Sequence, residues 1–201
     1  MTVLAATKPA SKRKIPAYLI KEEMDGVPYY HKGFREVLAK KKTIEEIMGS
    51  SVLQVIILDA IKRYLYGVVS KDYIIASNEA GLHLRKNDNV ANDIAIYRKE
   101  DIKNFFSKKY FDVPPRLVIE VDIDVEADVE KAQELQYVLN KTNKLLAFGV
   151  EKVIWIFSED RKTIIAGTQP DWVITNWNAD IALMNGIVLN LENLLKENSI
   201  L

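Results

Sequence analysis

The chain predicts a mixed α/β fold in which helices flank a central sheet, and three observations carry that expectation. Residues 117–121 form an almost continuously apolar run; a helical pattern over 126–148 follows, closed by Gly149, and a second apolar run spans 153–157. Strand, helix, strand in that order is a βαβ unit, and a short strand apolar on both sides belongs at the centre of a sheet. Upstream, the runs 72–77, 81–85 and 93–97 are short, rich in residues that favour strands, and separated by the polar turns 78–80 and 86–89, which predicts an antiparallel meander. Finally, a chain of 201 residues with 48% hydrophobic residues and only 8 Gly and 6 Pro has ample core material for one domain.

Taken in order, residues 1–15 mix Ala, Thr, Lys, Ser and Pro without periodicity and read as a flexible leader, so the single domain is placed at 16–201. Thr43 with Glu46 has the spacing of a capping box before a short helix. Ser50 or Ser51 caps a longer helix reaching Leu65 or Gly67, with Leu53, Ile57, Ala60, Ile61, Tyr64 and Leu65 as its inward stripe. The charged stretch 100–109 reads as a short helix stopped by Pro114 and Pro115. Beyond Phe157, the runs 163–166, 172–176 and 187–189 suggest an antiparallel extension, closed by a helix over 191–196.

Composition excludes several classes of function. With no Cys, disulfide scaffolds, zinc-thiolate sites and thiol nucleophiles are ruled out. The 28 basic and 28 acidic residues cancel, so no global positive field draws the chain onto a polyanion, and any such site is local. Basic runs at 8–14 and 40–42 fit a solvated tail and a solvated loop. The most apolar stretch, 52–69, is broken by Asp59, Lys62 and Arg63, and no secretory signal is evident, so a cytoplasmic protein without a membrane span is expected.

The residue that folding alone does not account for is Glu120, a carboxylate inside the most apolar strand of the chain, where burial without a partner is costly. Strand alternation puts Val118, Glu120 and Asp122 on one face. Asp93 opens another apolar strand, and if the two strands are neighbours, Asp93 and Glu120 converge on one ion. Carboxylates without Cys, and with only His31 and His83 in the chain, suit Mg2+ or Mn2+ better than zinc. The following helix carries Lys141 and Lys144, about 90° and roughly 150° from the centre of its apolar stripe. Lys141 is therefore nearer the core, and its ammonium can reach the carboxylates, where it would orient a water or stabilise a developing phosphate charge. Taken singly, Asp93 fits a turn, Lys141 a surface lysine, and Glu120 a salt bridge to Arg116 or Lys141. His31 and His83 read as structural.

At these residues the chain resembles a known group. The segments Asn92-Asp93-Ile94-Ala95-Ile96-Tyr97, 114–121 (PPRLVIEV) and 141–157 (KTNKLLAFGVEKVIWIF) are similar to the Uma-type family of restriction-endonuclease-like proteins, in which a helical lysine precedes a glycine-valine pair by eight residues, as Lys141 precedes Gly149. Upstream, 25–28 and 48–51 fit loosely, so the likeness covers most of 20–190. It implies a restriction-endonuclease-like core of the PD-(D/E)XK class, with Asp93 and Glu120 as metal ligands and Lys141 as the catalytic lysine. Glu79 matches a glutamate before glycine, and Asp122 stands where the lysine of that class usually lies. Asn92 replaces a proline, and Asp122-Ile123-Asp124 replaces serine-proline. The implied activity is divalent-metal-dependent hydrolysis of phosphodiesters, in DNA rather than RNA, with a homodimer expected where both strands are cut. The alternative is an inactive nuclease fold serving as a nucleic-acid-binding or protein-interaction module, or a buried ionic network that only holds the sheet to the helix.

Overall fold

The computed structural model describes residues 15–86, 88–123, 125–126 and 133–201. The expected leader, up to residue 14, and much of the 126–148 helix start lie outside the described residues. Ile15 packs against a small cluster formed by Leu19, Tyr30 and Phe34.

The architecture is a nine-stranded mixed sheet with helices on both faces. A first hairpin, β1 (Ile20–Met24) and β2 (Val27–His31), turns at Asp25 and Gly26, both with positive φ. A short helix α1 (Phe34–Leu38) follows. Thr43 and Glu46 do make the predicted contact, with the Thr43 N–H donating to Glu46 Oε2 at 2.6 Å, yet only turns follow, because the next apolar residues belong to a different helix. That helix, α2 (Val52–Val68), starts where Ser51 Oγ accepts from the Gln54 N–H at 3.1 Å, as a capping serine should. Its buried face is Gln54, Ile57, Ala60, Ile61 and Leu65; Leu53, expected inside, is exposed.

The predicted three-strand meander is a single long hairpin. Strand β3 (Tyr73–Arg85) runs through the expected turn at 78–80 and pairs antiparallel with β4 (Asp88–Arg98) along its length. Asn78 and Glu79, with φ 65° and 54°, make a bulge there, since pairing passes from Ser77↔Ile94 to Ala80↔Asn92 with one extra residue on β3. The turn signal was real, but it bends a strand rather than ending it. The charged stretch 100–109 holds a turn of 3-10 helix at Lys99–Asp101 and otherwise turns, so the expected helix does not form.

Strand β5 (Leu117–Val121) is buried throughout and lies between β4 and β7 (Lys152–Phe157), as its apolarity requires. The pairing of β5 with β7 is parallel, and α3 (Gln133–Phe148) makes the crossover. Glu126, expected in that helix, lies instead in β6 (Val125–Glu126), which pairs with β2. Gly149 ends α3 at φ 114°, letting the Val150 N–H return to Leu145 O at 3.0 Å; a Cβ there would meet Pro114 at 3.2 Å. Strands β8 (Lys162–Gly167) and β9 (Val173–Asn176) extend the sheet antiparallel. The third expected segment forms a separate ribbon, β10 (Ile181–Ala182) with β11 (Val188–Leu189), before α4 (Leu191–Glu197).

Two cores result, one on each face of the sheet. Ile94, Ile96, Ile119 and Ile154 pack under α2 and α4, while Ala95, Val118 and Trp155 pack under α3 against its Val138. The residues of the candidate site sit on the α3 face, at the end of β5. Among the described residues, no helix is long and apolar enough to cross a membrane.

Candidate active site

Residue by residue, the site grows from the antiparallel register of β4 and β5. Ile94 pairs with Ile119, so one step along puts Asp93 opposite Glu120, with Cβ atoms about 4.5–5.5 Å apart for such a pair. Asp93 Oδ2 accepts from the Val121 N–H at 2.8 Å, which ties the start of one strand to the end of the other. The α3 crossover then lays Lys141 over this pair, its Nζ 3.1 Å from Glu120 Oε1. The three residues singled out in the sequence therefore meet.

Lys141 is far more buried than a position at the edge of the stripe implies, with its side chain 2% exposed. The reason is a fourth residue that sequence reasoning missed. Glu22, on β1, is also buried, and its Oε1 accepts from Lys141 Nζ at 2.9 Å and from the Ala91 N–H at 3.1 Å. Its Oε2 accepts from the Tyr137 hydroxyl at 2.7 Å. Lys141 donates further to Ala91 O at 2.6 Å and stands 3.3 Å from the Tyr137 oxygen, under the rings of Tyr137 and Trp155. The Trp155 indole is itself held by Thr142 Oγ1 at 2.9 Å. The one clue to Glu22 in the sequence was its place two residues from Ile20 on one side and Met24 on the other, shortly before an Asp-Gly turn, a pattern shared by many surface hairpins.

Two buried carboxylates, Glu22 and Glu120, flank the Lys141 ammonium, and Asp93 lies opposite Glu120. Burial alone would depress the Lys141 amine, but the Glu120 and Glu22 carboxylates hold it well above its ordinary value. Burial also pushes Glu120 up to about 8; Lys141 opposes that rise, while Asp93 and Glu22 add to it. Tyr137 is raised by burial and then by Glu22, so it stays a hydrogen-bond donor.

The remaining predicted residues divide. Asp122 leaves the strand alternation with φ 60°, and its carboxylate accepts from the Ser158 N–H and Oγ, both at 2.7 Å, so it braces the end of β7. Glu79, on the β3 bulge, is exposed and 3.2 Å from Lys21 Nζ. Lys144 is held away from the pocket by Asp25 at 2.7 Å and Asp88 at 3.0 Å, in a network with Arg85 at the hairpin ends. Arg116 pairs with Glu151 rather than Glu120. His83 bonds Asn89, whereas His31 lines a cleft described below.

A cavity of about 20 Å3 lies among Glu22, Asp93, Glu120, Tyr137, Lys141 and Trp155, room for one water or one small ion. Lys21, Glu79 and Asp122 line both this cavity and a much larger open cleft of about 480 Å3, whose walls include His31, Lys32, Lys42 and Gln54. Gln54 also reaches the end of β5, donating from Nε2 to Val121 O at 2.9 Å. Gln54→Ala should cost about 1–3 kcal/mol by leaving that buried carbonyl without its donor, which urea denaturation would register. Among the described residues, no three His, Asp or Glu side chains converge on one point as a metal cage. Two carboxylates leave the other positions to water, carbonyl or substrate oxygen, which suits Mg2+, an ion that usually keeps several waters.

With this geometry in view, comparison with solved structures is informative. The chain resembles a crystal structure from Anabaena variabilis ATCC 29413, described as a "putative nuclease belonging to DUF820", with a TM-score of 0.63 over 87% of this chain and 89% of that one. The fold is nuclease-like. At 12% identity the likeness concerns the fold alone. The chain matches no family model and no curated protein.

Proposed function

We propose that this nuclease-like protein is a divalent-metal-dependent endonuclease that hydrolyses phosphodiester bonds in DNA, with Asp93 and Glu120 holding Mg2+ or Mn2+ and Lys141 acting beside them. The carrying observation is the convergence of those three side chains on a small cavity that shares Lys21, Glu79 and Asp122 with an open cleft. The likeness of segments 92–97, 114–121 and 141–157 to the Uma-type family and the PD-(D/E)XK class supports the same roles. The donor set fits the ion, since hard oxygen ligands and the mutual repulsion of Asp93 and Glu120 both favour a divalent cation.

A bound ion would polarise the phosphoryl group and lower the pKa of an attacking water. The chain's own residues supply the rest. Lys141, kept protonated by Glu22 and Glu120, presents positive charge where the phosphate oxygens gain negative charge. Glu22, Tyr137 and Ala91 O hold the Lys141 ammonium in place so that it need not reorganise. Asp93 fixes the Val121 amide and with it the strand end bearing Glu120. Lys21, Lys32 and Lys42 line the cleft beside Glu46, Glu79, Asp122, Glu134, Glu159 and Asp160, so a phosphate there would be met by individual lysines and by a bound cation rather than by an overall positive field. A homodimer would serve double-strand cutting.

Titrating Mg2+ or Mn2+ against supercoiled plasmid tests the proposal: nicking or linearisation that EDTA abolishes supports it, and an intact plasmid at every metal concentration counts against it. A second reading has its own observation, the near-complete burial of Lys141 and Glu22, which also suits an inactive module whose ionic network merely joins sheet to helix. Calorimetry separates the two, because that module would bind no divalent ion while remaining folded.

pH dependence follows from Glu120. Its pKa rises from 4.5 to about 8 on folding, so between those values the unfolded chain has lost a proton that the folded one keeps. Without metal, this group therefore makes stability fall as pH rises from about 4.5 to about 8. A Mg2+ ion held by Glu120 would compete with that proton, so the rise in Tm on adding Mg2+ should be larger at pH 8 than at pH 6; equal shifts would argue against Glu120 as a ligand.

A further inference from the structure

The segment between Lys99 and Pro114, where a helix was expected, presents the most exposed large aromatic group of the protein. Phe106 is 94% exposed, Tyr110 60% and Phe105 59%. Such exposure of neighbouring aromatic rings is unfavourable in water unless something covers them. They are interleaved with Lys103, Lys108 and Lys109, all exposed, and 103–111 contains no acidic residue although the whole chain is neutral. Among the described residues, none of these three lysines forms an ion pair.

This segment is seated on the sheet. The Phe111 N–H donates to Gly81 O at 3.0 Å, the His83 N–H donates to Phe111 O at 2.8 Å, and the Phe111 ring stacks on Tyr97 at 4.1 Å. Tyr110 lies so close over Gly81 that a Cβ there would be 2.6 Å from its ring. Within the loop, Asn104 Oδ1 accepts from the Phe106 N–H at 2.9 Å and Ser107 Oγ from the Lys109 N–H at 3.1 Å, which fixes the turn that projects the rings. Gly81 is two residues beyond Glu79, one of the residues shared by the small cavity and the cleft, so the anchor lies roughly 7 Å of strand from the rim of the candidate site.

We propose that 103–111 is a stacking arm for single-stranded nucleic acid, with bases covering Phe105, Phe106 and Tyr110 and phosphates meeting Lys103, Lys108 and Lys109. Bases offer a flat π-face to any aromatic ring regardless of sequence, and their phosphates complement lysines spaced among the rings. A duplex keeps its bases stacked on each other and offers these rings nothing to cover them. An anionic membrane is the less favoured occupant, because 103–110 forms neither helix nor strand and would carry unpaired backbone polar groups into the lipid. The choice of ligand rests on the nuclease reading, but the binding itself does not require cleavage.

Fluorescence anisotropy in EDTA with a labelled oligothymidylate single strand tests this directly. Wild type should bind the single strand at least tenfold more tightly than a duplex of equal length. The Phe105→Ala/Phe106→Ala variant should lose at least tenfold affinity for the single strand, with an unchanged Tm because both rings are exposed. Tyr66→Ala, which removes an exposed ring from α2, should bind like wild type, and because binding in EDTA requires no cleavage, failure of the arm stays distinct from failure of the nuclease reading. Equal binding by the aromatic variant, equal affinity for duplex and single strand, or binding only to phosphatidylcholine–phosphatidylserine vesicles would overturn the proposal.

Discussion

Glu120→Gln is expected to lower Mg2+-dependent cleavage by roughly 10^2–10^3-fold, the scale for removing one charge-stabilising group from a transition state, while leaving the protein folded. The amide keeps an oxygen toward Lys141, whose ammonium retains Glu22 at 2.9 Å and Ala91 O at 2.6 Å. What disappears is one of the two carboxylates that flank the Lys141 ammonium. Metal-free stability should hold or rise, since burial penalises that charge most. Plasmid nicking together with a thermal melt checks both halves. A variant that cleaves like wild type would remove Glu120 from the chemistry, and one that unfolds would assign it to the ionic network instead.

Lys141→Met should do the opposite to stability. The side chain is 2% exposed, and removing its charge leaves Glu22 and Glu120 buried together with no cation between them. Breaking a buried pair from one side costs about 3–5 kcal/mol, well beyond what Met recovers by packing under Tyr137 and Trp155. Part of that loss should be recovered at low pH, where the carboxylates take up protons, and part by Mg2+ at neutral pH. Denaturant midpoints at pH 5 and pH 8, with and without Mg2+, would reveal the pattern; a cost below about 1 kcal/mol, the range of exposed pairs, would mean that the ammonium is not the hub of the site.

These two variants diverge because of a residue that no local pattern distinguishes. An acid in the greasiest strand stands out, since few structural roles tolerate it, and Glu120 was legible for that reason. Asp93 was legible as its partner once the two strands were assumed to be neighbours, an assumption the Ile94↔Ile119 register bears out. Glu22 had no such mark. Its role depends on β1 lying beside β4, a contact between segments far apart in the chain, and on the Tyr137 hydroxyl arriving from α3. Lys144 illustrates the converse. Three residues from Lys141 on the same helix, it is captured by Asp25 and Asp88 from two hairpin ends whose meeting nothing in the local sequence announces.

Periodicity and composition were enough to establish the βαβ unit, the buried central strand, a helix capped by Ser50 or Ser51 and the absence of thiol chemistry, because each depends on composition or on neighbours within a turn or a strand. Alternation also placed Glu120 on the face that α3 covers. Whether a bend at Asn78 and Glu79 ends a strand or merely kinks it, where Asp122 aims its carboxylate, and which lysine meets which acid were resolved by long-range pairing. Coulomb attraction and desolvation act between groups brought together by the whole sheet, and a one-dimensional pattern records which face a side chain occupies but not who waits across from it.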